Sequence, residues 1–279
     1  MIAPRLRKIY SFLMQNSTPP GRAGFTLVEL SIVLVIIGLL IGGTMAGTAL
    51  VKAGQLRSVI SEYQRYTAAV TSFKTRFHAL PGDMPNASSY WGLAAGATCS
   101  TTNSGTKATC DGNNDGNING TVTLGNGNTS DESYRFWQHL SNAGLLDGNF
   151  SGVPGTCDYC STRSNSPNSK YSPGLWFAWN FGNANDWGGG DIFNGQYDNI
   201  LELGGMLASS TGDPVNALFK PADMASIDSK IDDGMPAQGF VVVRHISGCT
   251  NTADYTLMSA TYNLTATLAK CVAVFRQQF

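Results

Sequence analysis

Charge is scarce in this 279-residue chain: Asp, Glu, Lys and Arg together make up 13%, against roughly 25% in an average soluble domain. Formal net charge is -1, and no clustered basic surface of the kind that nucleic-acid binding needs is visible in the composition. Only three histidines are present, His78, His139 and His245, too few for a histidine-built metal or catalytic centre. None of them lies in a recognisable nucleophile motif, and Gly188-Gly189-Gly190 neither follows a strand nor opens a helix, so phosphate chemistry finds no cradle. No enzymatic activity is expected. Hydrophobic residues reach 42%, which excludes wholesale disorder. What is abundant is Gly, with 32 residues, alongside many Asn, Ser and Thr and six cysteines. That balance suits an exported protein in an oxidising compartment.

Residues 1–24 hold Arg5, Arg7, Lys8 and Arg22 and no acidic residue, leaving 14 basic against 19 acidic residues in the remainder. A basic start before an apolar run points to export. The order is unusual, because the small pair Ala23-Gly24 precedes the apolar run and cleavage there keeps the hydrophobic segment on the product. From Leu30 to Val51 there are 22 residues without a charge, enough for a helix to cross the hydrocarbon core of a bilayer. The preceding cations place the N-terminus in the cytoplasm. A plain membrane tether leaves Glu29 unexplained, since a carboxylate beside an apolar helix is costly without a partner. Cleavage after Gly24 creates such a partner, the α-ammonium of Phe25, and on an axially shifted neighbouring copy it can sit beside Glu29 and set the register of packed helices.

Gly24-Phe25-Thr26-Leu27-Val28-Glu29 followed by an apolar helix resembles the cleavage and methylation motif of type IV prepilins and type II secretion pseudopilins. The resemblance implies that a prepilin peptidase cuts after Gly24 and N-methylates Phe25, and that Glu29 supports assembly with other pilin or pseudopilin subunits at an inner-membrane assembly platform. It implies a single-pass protein of the bacterial inner membrane with a periplasmic head, extracellular when assembled into a pilus. The expected divisions are a leader, 1–24; a transmembrane and assembly helix, 25–51; its amphipathic continuation, 52–80; and a globular head, 81–279.

The residues beyond the motif fit a helix feeding a head. Leu56, Val59, Ile60, Tyr63, Thr67, Val70, Phe73, Phe77 and Leu80 recur at three- and four-residue intervals. Pro81-Gly82 ends the pattern, so one helix from about Phe25 to about Ala79 is predicted. Short helices are predicted over Asp131–Gly144 and Pro221–Ile231, a strand over Gly239–Ile246, and partner strands over Thr256–Ala260 and Cys271–Phe275. Residues 94–130 and 148–200 read as loop-like. The fold class expected is α+β, pilin-like, with the long helix packed on a small antiparallel sheet. Trp176, Trp179 and Trp187, with Phe177 and Phe181, read as core anchors in a Gly-rich head, with a sugar- or surface-binding patch as the rival.

Six cysteines allow fifteen connectivities, and sequence proximity favours Cys99–Cys110, Cys157–Cys160 and Cys249–Cys271. A zinc site at Cys157-Asp158-Tyr159-Cys160 lacks a second ligand pair, and a redox role for it lacks a strand–helix junction. The resemblance to pilins also supports a disulfide-closed C-terminal loop. Asp111-Gly-Asn113-Asn-Asp115-Gly116-Asn117-Ile118-Asn119 matches the first nine positions of a calcium loop, with side-chain oxygens at positions one, three, five and nine and a carbonyl at Asn117. Position twelve is Val122 where a bidentate Glu belongs, so Asp131 or Glu132 must fold back, or the loop is only an Asx turn. Ca²⁺ is the cofactor this spacing points to. The function expected is a minor or specialised pilin or pseudopilin; the alternative is a pilin-like adhesin or filament-tip protein with a calcium-binding head.

Overall fold

The computed structural model describes residues 24–94, 107–123, 129–154, 162–183, 191–205, 216–244 and 246–276. Its contacts divide the chain into two units, Met1–Leu50 and Val51–Phe279. The architecture is α+β: a long N-terminal helix, α1 (Leu27–Phe77), and a four-stranded antiparallel sheet.

In the first unit the described part is the start of α1. Its large side chains, among them Leu30, Ile36, Leu40 and Leu50, are exposed. The helix is long and apolar enough to cross a membrane. The hydroxyls within it donate to backbone carbonyls one turn back, Ser31 to Val28, Thr44 to Ile41 and Thr48 to Met45. That pairing removes the cost of carrying a hydroxyl in an apolar setting.

In the second unit the remainder of α1 supplies core. Its buried stripe is Leu56, Val59, Glu62, Tyr66, Ala69, Val70 and Phe73. Ile60, Tyr63 and Phe77 are only partly buried against that core. The face is thus turned slightly from the one the apolar spacing suggests, because Glu62 and Tyr66 go inside. Glu62 is accommodated by two donors, the Trp176 indole N–H and the Lys170 backbone N–H, each at 2.8 Å. Burial without such partners would be prohibitive for a carboxylate.

After α1 the chain turns through Pro81-Gly82 into α2 (Ala87–Trp91), a two-stranded ribbon of β1 (Thr121–Thr123) and β2 (Thr129–Asp131), and α3 (Glu132–Asn142). The main sheet contains β3 (Gly174–Asn183), β4 (Gln196–Gly205), β5 (Val241–Arg244) and β6 (Val272–Arg276), in the order β3-β4-β6-β5. α4 (Pro221–Ile231) lies between β4 and β5 in sequence and begins with proline at its first position.

Register sets the core. Trp176 pairs with Leu203, Leu201 with Phe275, and Phe275 with Val241. One sheet face, with Trp176, Ala178, Leu201, Leu203, Val241, Val243, Ala273 and Phe275, joins the α1 residues in the principal cluster. The opposite face holds a smaller cluster of Phe181, Ile192, Tyr197, Ile200, Val242 and Val274. Tyr66 meets Trp137 and Trp176 edge-on at 5.2 and 5.3 Å, and Tyr63 stacks on Phe275 at 4.7 Å, geometries that aromatic pairs favour.

Three stretches differ from the sequence expectation: the run 94–130, expected to be loop-like, contains β1 and the start of β2. The Gly- and Asn-rich run 148–200, expected to be loop-like, contains β3 and the start of β4. Thr256–Ala260, expected to be a strand, is a set of turns; Asp254 Oδ1 accepts the backbone N–H and the hydroxyl of Thr256, an Asx turn that competes with strand pairing. The helices over 131–144 and 221–231 and the strands at 241–244 and 272–276 lie where periodicity puts them.

The disulfide Cys249–Cys271 closes a 22-residue interval beside β6. Cys110 is buried and disulfide-bonded. Cys99, Cys157 and Cys160 lie outside the described residues, as do Trp187, Gly188-Gly189-Gly190 and His245. Trp176, Phe177 and Phe181 are buried in the head.

Candidate functional sites

The first site is the N-terminal end of α1. Thr26 and Glu29 form a reciprocal cap: the Thr26 backbone N–H and hydroxyl both donate to Glu29 Oε2, at 2.8 and 2.9 Å, and the Glu29 N–H donates to Thr26 Oγ1 at 3.1 Å. This is a capping box, in which a Thr and the Glu three residues later satisfy donors that the helix end leaves open. Phe25, immediately before it, is 87% exposed. The Thr-x-x-Glu spacing was in the sequence; reading Glu29 only as an assembly residue passes over it. All donations from Thr26 end on Oε2, leaving Oε1 outside the cap.

The second site is the loop 111–119. Asn114 and Gly116 take positive φ, 60° and 83°, and the loop folds tightly around Asp115. Asp115 Oδ1 accepts the Asn117 N–H at 2.8 Å, and its Oδ2 faces the amides of Asn113 and Asn119 at 2.9 and 3.0 Å. Asn113 Oδ1 in turn accepts the Asp115 N–H at 3.1 Å, which fixes that amide, whereas a half-turn of the Asn119 amide would present an oxygen to a cation. Asn117 Oδ1 accepts from Asn180 on β3, and Asn199 on β4 bonds the Gly116 carbonyl and the Ile118 N–H. The sheet thereby fixes the loop.

The motif residues are not all brought together. Asp111 accepts the Ser88 backbone N–H and hydroxyl at 2.7 and 2.9 Å, which commits its carboxylate to the start of α2. Asp83 and Glu132 approach Asp115 instead, with one carboxylate oxygen from each of the three within 4.8 Å of the others. Asp83 Oδ1 and Oδ2 accept the N–H groups of Asp115 and Gly116; Glu132 Oε1 and Oε2 accept those of Asn113 and Asn119. Glu132, at the first turn of α3, is one of the two residues considered for the missing twelfth position. Asp83 was missed: 32 residues upstream of Asp115, it carries no spacing signal.

Two glycines make the convergence possible. A Cβ on Gly82 would strike the Glu132 carbonyl, and one on Gly112 would strike the Asp83 backbone. Burial pushes the Glu132 carboxyl up to about 8 and Asp83 up to about 6, with neighbouring carboxylates adding to the rise and backbone N–H groups opposing it. Both are buried, whereas Asp115 is exposed, so the group opens to solvent at Asp115.

Beneath this loop, His139 is fully buried. Its Nδ1 accepts the Gly82 N–H at 2.9 Å, while Nε2 faces Thr109 Oγ1 at 3.0 Å and the Cys110 carbonyl at 3.3 Å. That network holds a neutral ring protonated at Nε2. Burial, with Arg135 nearby, lowers its pKa to about 3.

A family model described as the prokaryotic N-terminal methylation motif matches residues 20–45. No curated protein and no solved structure matches the chain. The matched stretch contains Gly24, Phe25, Thr26 and Glu29 and runs into the exposed apolar part of α1. Motif and apolar helix together support anchoring in a membrane, processing by a prepilin peptidase and assembly with other pilin-type subunits. The chain thus carries the N-terminal methylation motif of type IV prepilins and pseudopilins at the head of a 51-residue helix.

Proposed function

We propose that this chain is a structural subunit of a type IV pilus or a type II secretion pseudopilus, cut after Gly24, methylated at Phe25 and polymerised through α1. It is held in the inner membrane with its N-terminus cytoplasmic and its head periplasmic until an assembly platform extracts it. The observation that carries this reading is the motif joined to a helix start where Glu29 Oε2 is held by Thr26. Oε1 then meets the Phe25 ammonium of an axially displaced neighbour. That charge pair would satisfy both groups within an apolar layer. Glu29→Ala should be cleaved normally yet enter sheared filaments or pseudopili poorly; incorporation equal to wild type would contradict the assembly role.

We further propose that the head binds Ca²⁺ at Asp83, Asp115 and Glu132, with Asn119 adding to the shell. The spacing of the Asp111–Asn119 loop and the arrival of two carboxylates from outside it support this reading. Hard oxygen donors in a flexible cage suit Ca²⁺ better than Mg²⁺.

A further inference from the structure

Charge is divided unequally along the chain. Residues 51–80 carry five basic residues, Lys52, Arg57, Arg65, Lys74 and Arg76, against one acidic residue, Glu62; residues 81–279 carry nine basic and seventeen acidic. Three cations line one groove of about 480 Å³: Arg57 and Arg65 on α1, two turns apart, and Lys170 on the segment that leads into β3. Ser58 and Ser61 of α1 also line it.

One carboxylate, Glu62, lines the same groove and offsets one of the three charges, which leaves two cations in excess. Both oxygens of Glu62 are taken by the Trp176 indole and the Lys170 backbone N–H. Among the described residues, no carboxylate forms an ion pair with Arg57, Arg65 or Lys170; the pairs present are Lys52–Asp223, Arg244–Asp191 and Arg244–Glu202. All three groove cations belong to exposed residues. The rest of the head presents the opposite sign, with exposed carboxylates at Asp147, Asp198, Asp233 and Asp254.

We infer that this groove is a docking surface for a second copy of the chain, receiving carboxylates of the neighbour's head. The inference rests on the filament reading above and adds an electrostatic contact in the head to the contact at the helix terminus. Complementary patches of this kind set orientation and exclude wrong registers, because like charges brought together are costly. The groove keeps an excess of positive charge to recognise a carboxylate, and the same chain supplies carboxylates in excess, so the sign pattern is self-complementary.

The test uses the full-length chain in its native membrane, with a photo-crosslinking amino acid at Ser61 and two differently tagged copies co-expressed. The expected product joins the two tags, and its peptides map to residues 81–279 of the second copy. In Arg57→Glu with Arg65→Glu, its yield should fall about tenfold or more, while Arg57→Lys with Arg65→Lys should retain it, as a contact governed by charge requires. Retention in the lysine variant shows that charge, not folding, is being read. Crosslinking only to another protein or to lipid, or an undiminished product in the glutamate variant, overturns the inference. If Phe25 processing and polymerisation persist in that case, the filament reading stands without it. If the unsubstituted chain is neither processed nor polymerised, both fall.

Discussion

Protonation of His139 should work against the fold of this head in acid, and the size of that one contribution follows from its surroundings. Gly82 points an N–H at Nδ1, so a second ring proton would set donor against donor. Burial, with Arg135 nearby, holds the ring neutral in the folded state down to about pH 3, whereas in the unfolded chain it titrates near 6.5. A base whose folded pKa is depressed contributes stability that is present above the unfolded pKa and lost as pH falls toward the folded one. Between pH 7.5 and 4.5 that loss is about 2.7 kcal/mol by proton linkage. Glu132, Asp131, Asp228 and Asp83 oppose it and together outweigh it, because burial raises their pKa values to about 8, 7, 7 and 6, so the folded state takes up protons there as pH falls. The His139 contribution must accordingly be read as a difference. His139→Gln keeps an acceptor for Gly82 and a donor for Cys110 but cannot titrate. Urea denaturation of residues 51–279, wild type and variant, at pH 7.5, 5.5 and 4.5 measures it. The wild type should lose ground to the variant by roughly 1.4 kcal/mol per pH unit below 6.5. A difference that stays constant with pH would refute the argument.

The same fragment should melt at a higher temperature in millimolar Ca²⁺ than in chelator, by roughly 5–10 °C if the ion is at a hundredfold excess over its Kd, which contributes about 2.7 kcal/mol. Asp83→Asn with Glu132→Gln should remove the response; no shift and no binding by titration calorimetry would reduce the loop to a turn. Replacing Cys249 and Cys271 by Ser should cost about 3 kcal/mol of stability, the chain entropy released from a loop of that length. Denaturation of the variant beside the oxidised parent checks this, and equal stability would contradict it.

How much was legible depended on how local the signal was. The long helix could be read because its apolar and amphipathic halves both repeat at helical spacing, from Leu30 through Phe73. Which side chains of its second half go inside could not, because Glu62 is buried only through Trp176 and Lys170, more than 100 residues away. β3 and β4 escaped notice because Gly174, Asn180, Gly182 and Gly205 dilute them, and because both faces of the sheet are covered, which abolishes the polar–apolar alternation that marks a half-exposed strand. Around the candidate metal site, the loop motif gave Asp115 and its flanking amides. The roles of Asp83 and Glu132 depend on the close approaches at Gly82 and Gly112, which are tertiary facts. Asp111 stands at the first motif position, yet Ser88 claims it, a competition that spacing alone does not reveal.

The central claim is that Gly24-Phe25 is a processing junction and that the helix behind it remains on the product. Intact mass and N-terminal sequencing of the chain from membranes of a prepilin-peptidase-competent cell test it most directly. The account predicts a mature chain of 255 residues that begins at N-methylated Phe25, and a Gly24→Ala chain that stays largely uncut. A mature form that retains residues 1–24, or that has lost the apolar part of α1, would contradict it.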